Sequence, residues 1–233
     1  MLFNYINSCH GSKIRINHFK NALAAFVFIG FCTAQAGSFD DFFKAVKMDD
    51  ARAVQQLLAR GFDANTVDAA GQTGLVIALR EPSLKVADAL IDSPKIDLNT
   101  LNDRGESALM LAALKGQRNL AEKMVKKGAD VNKTGWTPLH YAASAGQTEV
   151  ISLLLENHAY VDAESPNGST PLMMASMYGT PAAVKLLLDE GADPSLKNQQ
   201  GLTAIDFAQR ANRDDTVQMI GKTIRASRPR GQW

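Results

Sequence analysis

Gly135-Trp136-Thr137-Pro138-Leu139-His140-Tyr141-Ala142-Ala143 opens with turn chemistry and runs straight into a short apolar segment. Proline costs nothing at the first position of a helix, where its missing N–H has no intrahelical partner, so Pro138 predicts a helix start. Gly146 predicts its end. Thr148 to Glu156 then restarts as a second helix, in which Val150, Ile151, Leu153, Leu154 and Leu155 recur at helical spacing as a buried stripe.

The stretch is not unique. Thr137-Pro138-Leu139 returns as Thr170-Pro171-Leu172, and weaker copies extend it outward: Thr73-Gly74-Leu75, Ser107-Ala108-Leu109 and Thr203-Ala204-Ile205. From first to last the steps are 34, 30, 33 and 33 residues. A glycine stands two residues before each copy, at Gly71, Gly105, Gly135, Gly168 and Gly201. Hydrophobic pairs follow the first four at Leu90-Ile91, Met124-Val125, Leu154-Leu155 and Leu187-Leu188. Several units close on a glycine suited to the left-handed end of a helix, as in Lys127-Gly128-Ala129-Asp130-Val131-Asn132 and Glu190-Gly191-Ala192-Asp193-Pro194. A period near 33 with such content is a repeat architecture.

With Thr137-Pro138-Leu139-His140-Tyr141-Ala142-Ala143, Gly146, the leucine pair and the Gly-Ala-Asp-Val-Asn ending in phase, the chain resembles the ankyrin repeat over about residues 40 to 221. The resemblance implies an all-α ankyrin-repeat solenoid of stacked antiparallel helix pairs, with loops or hairpins projecting like fingers. It also implies that His140 hydrogen-bonds its turn and joins neighbouring repeats. A unit of this kind cannot bury its apolar face alone, so neighbours share one core.

The departures from the pattern locate the ends. Phe39 to Asn65 lacks the entry triplet but keeps Leu57-Leu58 and Gly61, and reads as an N-terminal cap. The unit from Lys197 ends in Arg213-Asp214-Asp215 and a charged helix, and reads as a C-terminal cap. The step of 30 loses three residues where Asn132 runs into Lys133-Thr134-Gly135, so that finger is expected to be short. His158 falls where other units carry the left-handed glycine, at a local cost of about 1–2 kcal/mol. The repeat domain is expected over residues 37–226, with four central repeats between the caps and a tail over 227–233.

Residues 1–36 read differently. Lys13, Arg15 and Lys20 occur there without a single acid, Ala22 to Cys32 is an apolar run of 11 residues, and Ala34-Gln35-Ala36 offers small residues. That order is a secretory signal with cleavage after Ala36. The run is short for a bilayer, which takes roughly 20 residues, so no stable membrane insertion is expected after cleavage. Phe31 is bulky for the residue before a lipidated cysteine, which argues against an anchor at Cys32.

Cleavage would remove both cysteines, Cys9 and Cys32. A chain without thiols escapes wrong pairing in an oxidising compartment, and the expected location is a bacterial periplasm. The net charge of +1 becomes −2, because three of the 25 basic residues and none of the 24 acids lie in the segment. A near-neutral surface points away from nucleic acid as partner.

Catalytic constellations are scarce. Beyond the leader the histidines are His140 and His158, whose spacing does not make a metal pair. Ser144 and Ser169 have no His/Asp partners at a recognisable distance. The repeat glycines lack the Lys-Ser/Thr follow-on of a phosphate loop, and turn duty accounts for Gly135 and Gly168. Pairs such as Asp49-Asp50 and Asp214-Asp215 read as helix N-terminal or solvated groups. No enzyme, metal or cofactor is therefore expected.

What remains is surface. The resemblance implies that partners meet the finger tips and the exposed ends of first helices. The residues after the turn glycines are Gln72, Glu106, Trp136, Ser169 and Leu202, and the helix ends carry Arg80, Leu114-Lys115, Ser144-Ala145, Met177-Tyr178 and Arg210. Trp136 and Tyr178 are of the types that dominate interfaces, so with Met177 they are expected to form an apolar spot rimmed by Lys115 and Arg210. Met173 and Met174 are expected in the core. The expected role is binding another protein, inhibiting or supporting an envelope component. Service to a periplasmic oxidative-stress enzyme such as a catalase, or host-directed effector action, are alternatives.

Overall fold

The computed structural model describes residues 37–227; the expected leader and residues 228–233 of the expected tail lie outside them. The chain divides into one unit over Met1–Phe39 and another over Asp40–Trp233, and the repeats make up the second.

Helices come in pairs. The N-terminal cap pairs α1 (residues 37–47) with α2 (Ala51–Ala59). Four repeats follow: α3 (Gly74–Arg80) with α4 (Leu84–Asp92), α5 (Ala108–Leu114) with α6 (Arg118–Lys126), α7 (Pro138–Ala145) with α8 (Thr148–Glu156), and α9 (Pro171–Tyr178) with α10 (Pro181–Asp189). The C-terminal cap pairs α11 (Ala204–Arg210) with α12 (Asp214–Ser227), whose last residue lies one beyond the expected domain end. First helices α3, α5, α7, α9 and α11 pack in one row, and second helices α2, α4, α6, α8, α10 and α12 in another. The structure is thus an ankyrin-repeat solenoid.

Each repeat's first helix is capped by the threonine or serine of its entry triplet. Thr73, Ser107, Thr137, Thr170 and Thr203 accept from the backbone N–H three residues on, satisfying one donor the helix leaves unpaired. Pro138 and Pro171 sit in the first turn as expected. Gly74 replaces proline in the first copy for a packing reason: any Cβ there would enter the ring of Phe42. Phe42 stacks on Phe62 at 4.6 Å between ring centres and meets Phe43 edge-on at 5.1 Å, and this aromatic cluster closes the cap.

The stripe of each second helix is buried as predicted, through Val150, Ile151, Leu153 and Leu154 in α8 and Val184 and Leu187 in α10. Of the second members of the hydrophobic pairs, Val125, Leu155 and Leu188 are half-buried instead, whereas Ile91 is buried. His158 does adopt the left-handed conformation, with φ 65°.

Asp49 and Asp50 have helix N-terminal roles. Asp50 Oδ1 accepts from Ala53 N at 2.9 Å at the start of its own helix, α2. Asp49 Oδ1 accepts from Val86 N at 2.9 Å, capping the next repeat's α4, whose own Ser83 makes no side-chain cap bond. At the far end Arg213 Nη1 donates to the carbonyls of Ala175 and Ser176, fastening the last unit to α9.

Candidate binding face

The fingers are built by one device used repeatedly. In the segments before α3, α5, α9 and α11, the backbone N–H of Asp68, Asn102, Ser165 or Asn198 donates to the carbonyl four residues on. The left-handed turn glycine, three residues on, donates back to the same residue's carbonyl. The side chain of that residue also accepts from the backbone inside the turn, as Asn102 Oδ1 does from Arg104 N and Glu106 N.

A second device fastens each finger to the next. Asn65, three residues before Asp68, donates from Nδ2 to Lys95 O and accepts at Oδ1 from Asp97 N. Asn99, three before Asn102, treats Gly128 O and Asp130 N in the same way. Asp162, three before Ser165, accepts from Asp193 N.

The short finger merges the two positions. Its loss of three residues leaves Asn132 three before Gly135, in the turn position, yet its side chain takes the fastening role. Nδ2 donates to His158 O at 2.7 Å and Oδ1 accepts from Tyr160 N at 2.9 Å. The ladder pair that closes the other fingers is not formed at Asn132. The finger beside Trp136 is therefore reduced to a bare turn.

His140 lies beneath that turn, 1% exposed. Its Nδ1 accepts from Thr137 N at 3.2 Å, which leaves Nε2 as the N–H that donates to Ser169 O at 2.9 Å. Burial depresses its pKa to about 4, against the pull of the Ser169 and Ala163 carbonyls, so the ring is neutral. The histidine thus ties its own turn to the next finger, as the resemblance implied. Other repeats fill the same position with different acceptors: Met110 Sδ and Met173 Sδ take the N–H of Ser107 and Thr170, and Asp206 Oδ2 takes that of Thr203.

Trp136 packs its ring against His140, edge to face at 5.2 Å. Together with Leu114, Tyr141, Ser144 and Met174 the two rings line an open hollow of about 220 Å³. The expected grouping is changed here. Trp136 and Leu114 come together, but Met177 and Tyr178 do not line the hollow. Tyr178 instead stands 61% exposed at the end of α9. Met174, expected in the core, is half-exposed and forms the hollow's far wall, whereas Met173 is buried. Ser169, expected at a finger tip, is 1% exposed and serves the turn.

The remaining candidates spread along the same side. Arg80 donates to Gln72 Oε1 at 2.7 Å and to Glu106 Oε2 at 2.8 Å, so its charge is spent inside the face. Burial works against ionising Glu106, but hydrogen bonds from Asn102 and Arg80 outweigh it and hold the carboxyl below the usual range. Burial, reinforced by Glu106, pushes the Tyr141 phenol up, and Tyr141 Oη remains a donor 3.4 Å from Glu106 Oε1. A polar chain thus crosses three repeats and ends at the hollow. Lys115 and Arg210 are exposed and form no ion pair among the described residues.

Tyr141 and Met174 were not picked out from the sequence. They share a signal that would have found them: each stands four residues after its capping threonine, at the position that lines the hollow. Among the described residues no three His, Cys, Asp or Glu side chains are placed to hold a metal, and no helix is long and apolar enough to cross a membrane.

Comparison with known proteins agrees with this geometry. Protein fem-1 homolog A-like of Mus musculus is 35% identical over 113 residues, covering 47% of this chain and 17% of its own. Protein phosphatase 1 regulatory subunit 27 of Mus musculus is 34% identical over 93 residues, 39% of this chain and 60% of its own. This chain therefore spans less than two thirds of either relative.

Among solved structures, one chain of the complex of the Bd0816 predatory endopeptidase from Bdellovibrio bacteriovorus with immunity protein Bd3460 superposes with a TM-score of 0.67. It is 31% identical, over 78% of this chain and 97% of that one. The ankyrin repeat protein EF0377 gives a TM-score of 0.70 at 28% identity, over 78% of this chain and 96% of that one. The model describing ankyrin repeats (3 copies) matches at residues 42–134, 94–165, 130–198 and 158–227, and on that coverage the chain belongs to the ankyrin-repeat family.

Proposed function

We propose that this protein is an exported, non-catalytic binding module that seats another protein on its finger face and thereby inhibits or supports an envelope component. The observation that carries the reading is the half-exposed apolar group of Trp136, Leu114 and Met174 beside a finger stripped to a bare turn. Large apolar and aromatic side chains held half-open by a rigid scaffold are what interfaces use as anchors. Export rests on the charged, apolar, small-residue order of residues 1–36. The likeness to a chain from a complex of an endopeptidase with an immunity protein supports direct contact with another protein as the mode of action.

The test is site-specific photo-crosslinking in the intact producing cell, with the crosslinker at Tyr178 on the finger face or at Lys126 on a second helix. The expected result is one partner captured from Tyr178 and not from Lys126, in the periplasmic fraction, on a chain beginning at Gly37. Trp136→Ala should weaken that partner by about 2 kcal/mol or more while the fold survives. Capture from Lys126 alone would overturn the face, and an intact Met1 on cytosolic protein would overturn export.

A further inference from the structure

We propose that the hollow beside Trp136 is an anchor site for a loop or terminal segment of the partner protein, one that carries a single apolar side chain between carboxylates. This rests on the reading of the finger face as the binding surface, and it names the chemistry that face selects.

Size decides the first half. About 220 Å³ falls below the roughly 300–1,000 Å³ of pockets that hold drug-sized ligands, and it suits one side chain. The lining asks for an apolar one. His140 has both ring nitrogens engaged, and Ser144 Oγ donates to its own helix at Tyr141 O. Tyr141 Oη donates to Glu106, so none of these three groups has a free donor to offer a polar guest. Leu114 and Met174 flank the opening with flexible side chains that adapt to shape.

The charge around the hollow decides the second half. Arg104 is near enough to favour ionisation of both Glu106 and Tyr141, and it has no ion-pair partner among the described residues. Lys115, next to Leu114, is likewise unpaired. The nearest acid, Glu106, is already held by Arg80 and Asn102. Asp103 turns its carboxylate toward Gly71 of the preceding finger. Lys133 and Glu164, on the two adjoining fingers, cancel in charge. The indole N–H of Trp136, whose ring lines the hollow, makes no hydrogen bond among the described residues and adds one more free donor. An apolar floor with unpaired cations and a free donor around it complements an apolar anchor flanked by carboxylates.

Labelled short peptides titrated against the full chain by fluorescence anisotropy test this directly. The central residue is Leu, Phe or Ser, and the flanks are Asp/Glu, Ser/Gly or Lys. Acid-flanked Leu or Phe should bind at least about tenfold tighter than either the central-Ser peptide or the Lys-flanked one. Ser144→Phe, which fills the hollow from a half-exposed position, should abolish the preference for an apolar centre. Arg104→Glu with Lys115→Glu should move the preference to Lys flanks, with circular dichroism confirming that both variants fold.

Indifference to the central residue, indifference to the flanks, or the same flank preference in the charge-reversed variant would each overturn the proposal. The crosslinked partner separates the two readings. If Trp136→Ala releases it while Ser144→Phe and the charge reversal do not, the anchor is refuted and the binding face stands. If none of the three releases it, both fall.

Discussion

The Nε2–H of His140 donates to the carbonyl of Ser169 at 2.9 Å, and this one bond carries a buried ring from the turn of one repeat to the finger of the next. The ring can do this only while neutral, because Nδ1 must accept from Thr137 N. Its pKa falls from 6.5 to about 4 on folding, with burial as the leading cause. For a group depressed in the folded state, stability is fully present above the unfolded pKa and is lost as pH falls through the folded one. Unfolding free energy should therefore drop by about 3 kcal/mol between pH 6.5 and 4 on account of His140 alone. Urea melts of the wild type and His140→Gln across that range check it. The wild type should lose that much more than the variant, and parallel pH profiles would contradict the assignment.

Asn132 should be worth more than its exposure suggests. Asn132→Ala removes two hydrogen bonds to the neighbouring repeat, at Nδ2 and Oδ1, and should cost about 1–2 kcal/mol. Asn132→Asp keeps the acceptor but not the donor and should fall between. Hydrogen exchange would show the loss concentrated at His158 and Tyr160, and a loss spread evenly over the chain would count against this role.

Leu154 and Leu187 are both fully buried where second helices meet. Truncating either to alanine should cost about 2–5 kcal/mol. Because each repeat leans on its neighbours, amide protection should fall in the adjacent units as well. An unmoved unfolding midpoint would show that these side chains are not in the shared core.

Gly179 and Gly201 separate close approach from backbone strain. Gly179 has ordinary φ −77°, but a Cβ there would strike the carbonyl of Ala143 on the neighbouring first helix. Gly201 has φ 74° and open space. Gly201→Ala should cost roughly 1–2 kcal/mol from strain alone, and Gly179→Ala clearly more, because backbone must move. Thermal melts of the two variants decide the order.

The pattern that repeats along the chain was readable without coordinates, and it led to the helix pairs, the caps, the short finger and the place of His140. Those features depend on local chemistry: a threonine cap, a proline in the first turn, a glycine where φ is positive. The face was less legible because it depends on which side chains meet across 30 residues or more. Arg80 was read only as the exposed end of a first helix, and its pairing with Glu106 lies across 26 residues; Met174 was expected in the core. Trp136 was singled out as an aromatic residue after a turn glycine, but its partners across the hollow, Leu114 and Met174, follow from the stacking of α5, α7 and α9. Gly74 shows the opposite case: it looked like a weakened copy of the entry triplet, and Phe42 from another helix explains it.

The merger at Asn132 says something about how such a chain can change its outline. Turn residue and fastening residue lie three apart in the intact fingers, so removing three residues lets one side chain inherit the duty that holds repeats together. Removing one or two would leave neither in place. Finger length is therefore variable in one step size, and each such step uncovers whatever stands at the foot of the finger. Deleting residues 100–102 would set Asn99 against Asp103-Arg104-Gly105, in the arrangement Asn132 has with Lys133-Thr134-Gly135. A new recess could then be opened elsewhere on the face by shortening a loop, with no helix altered.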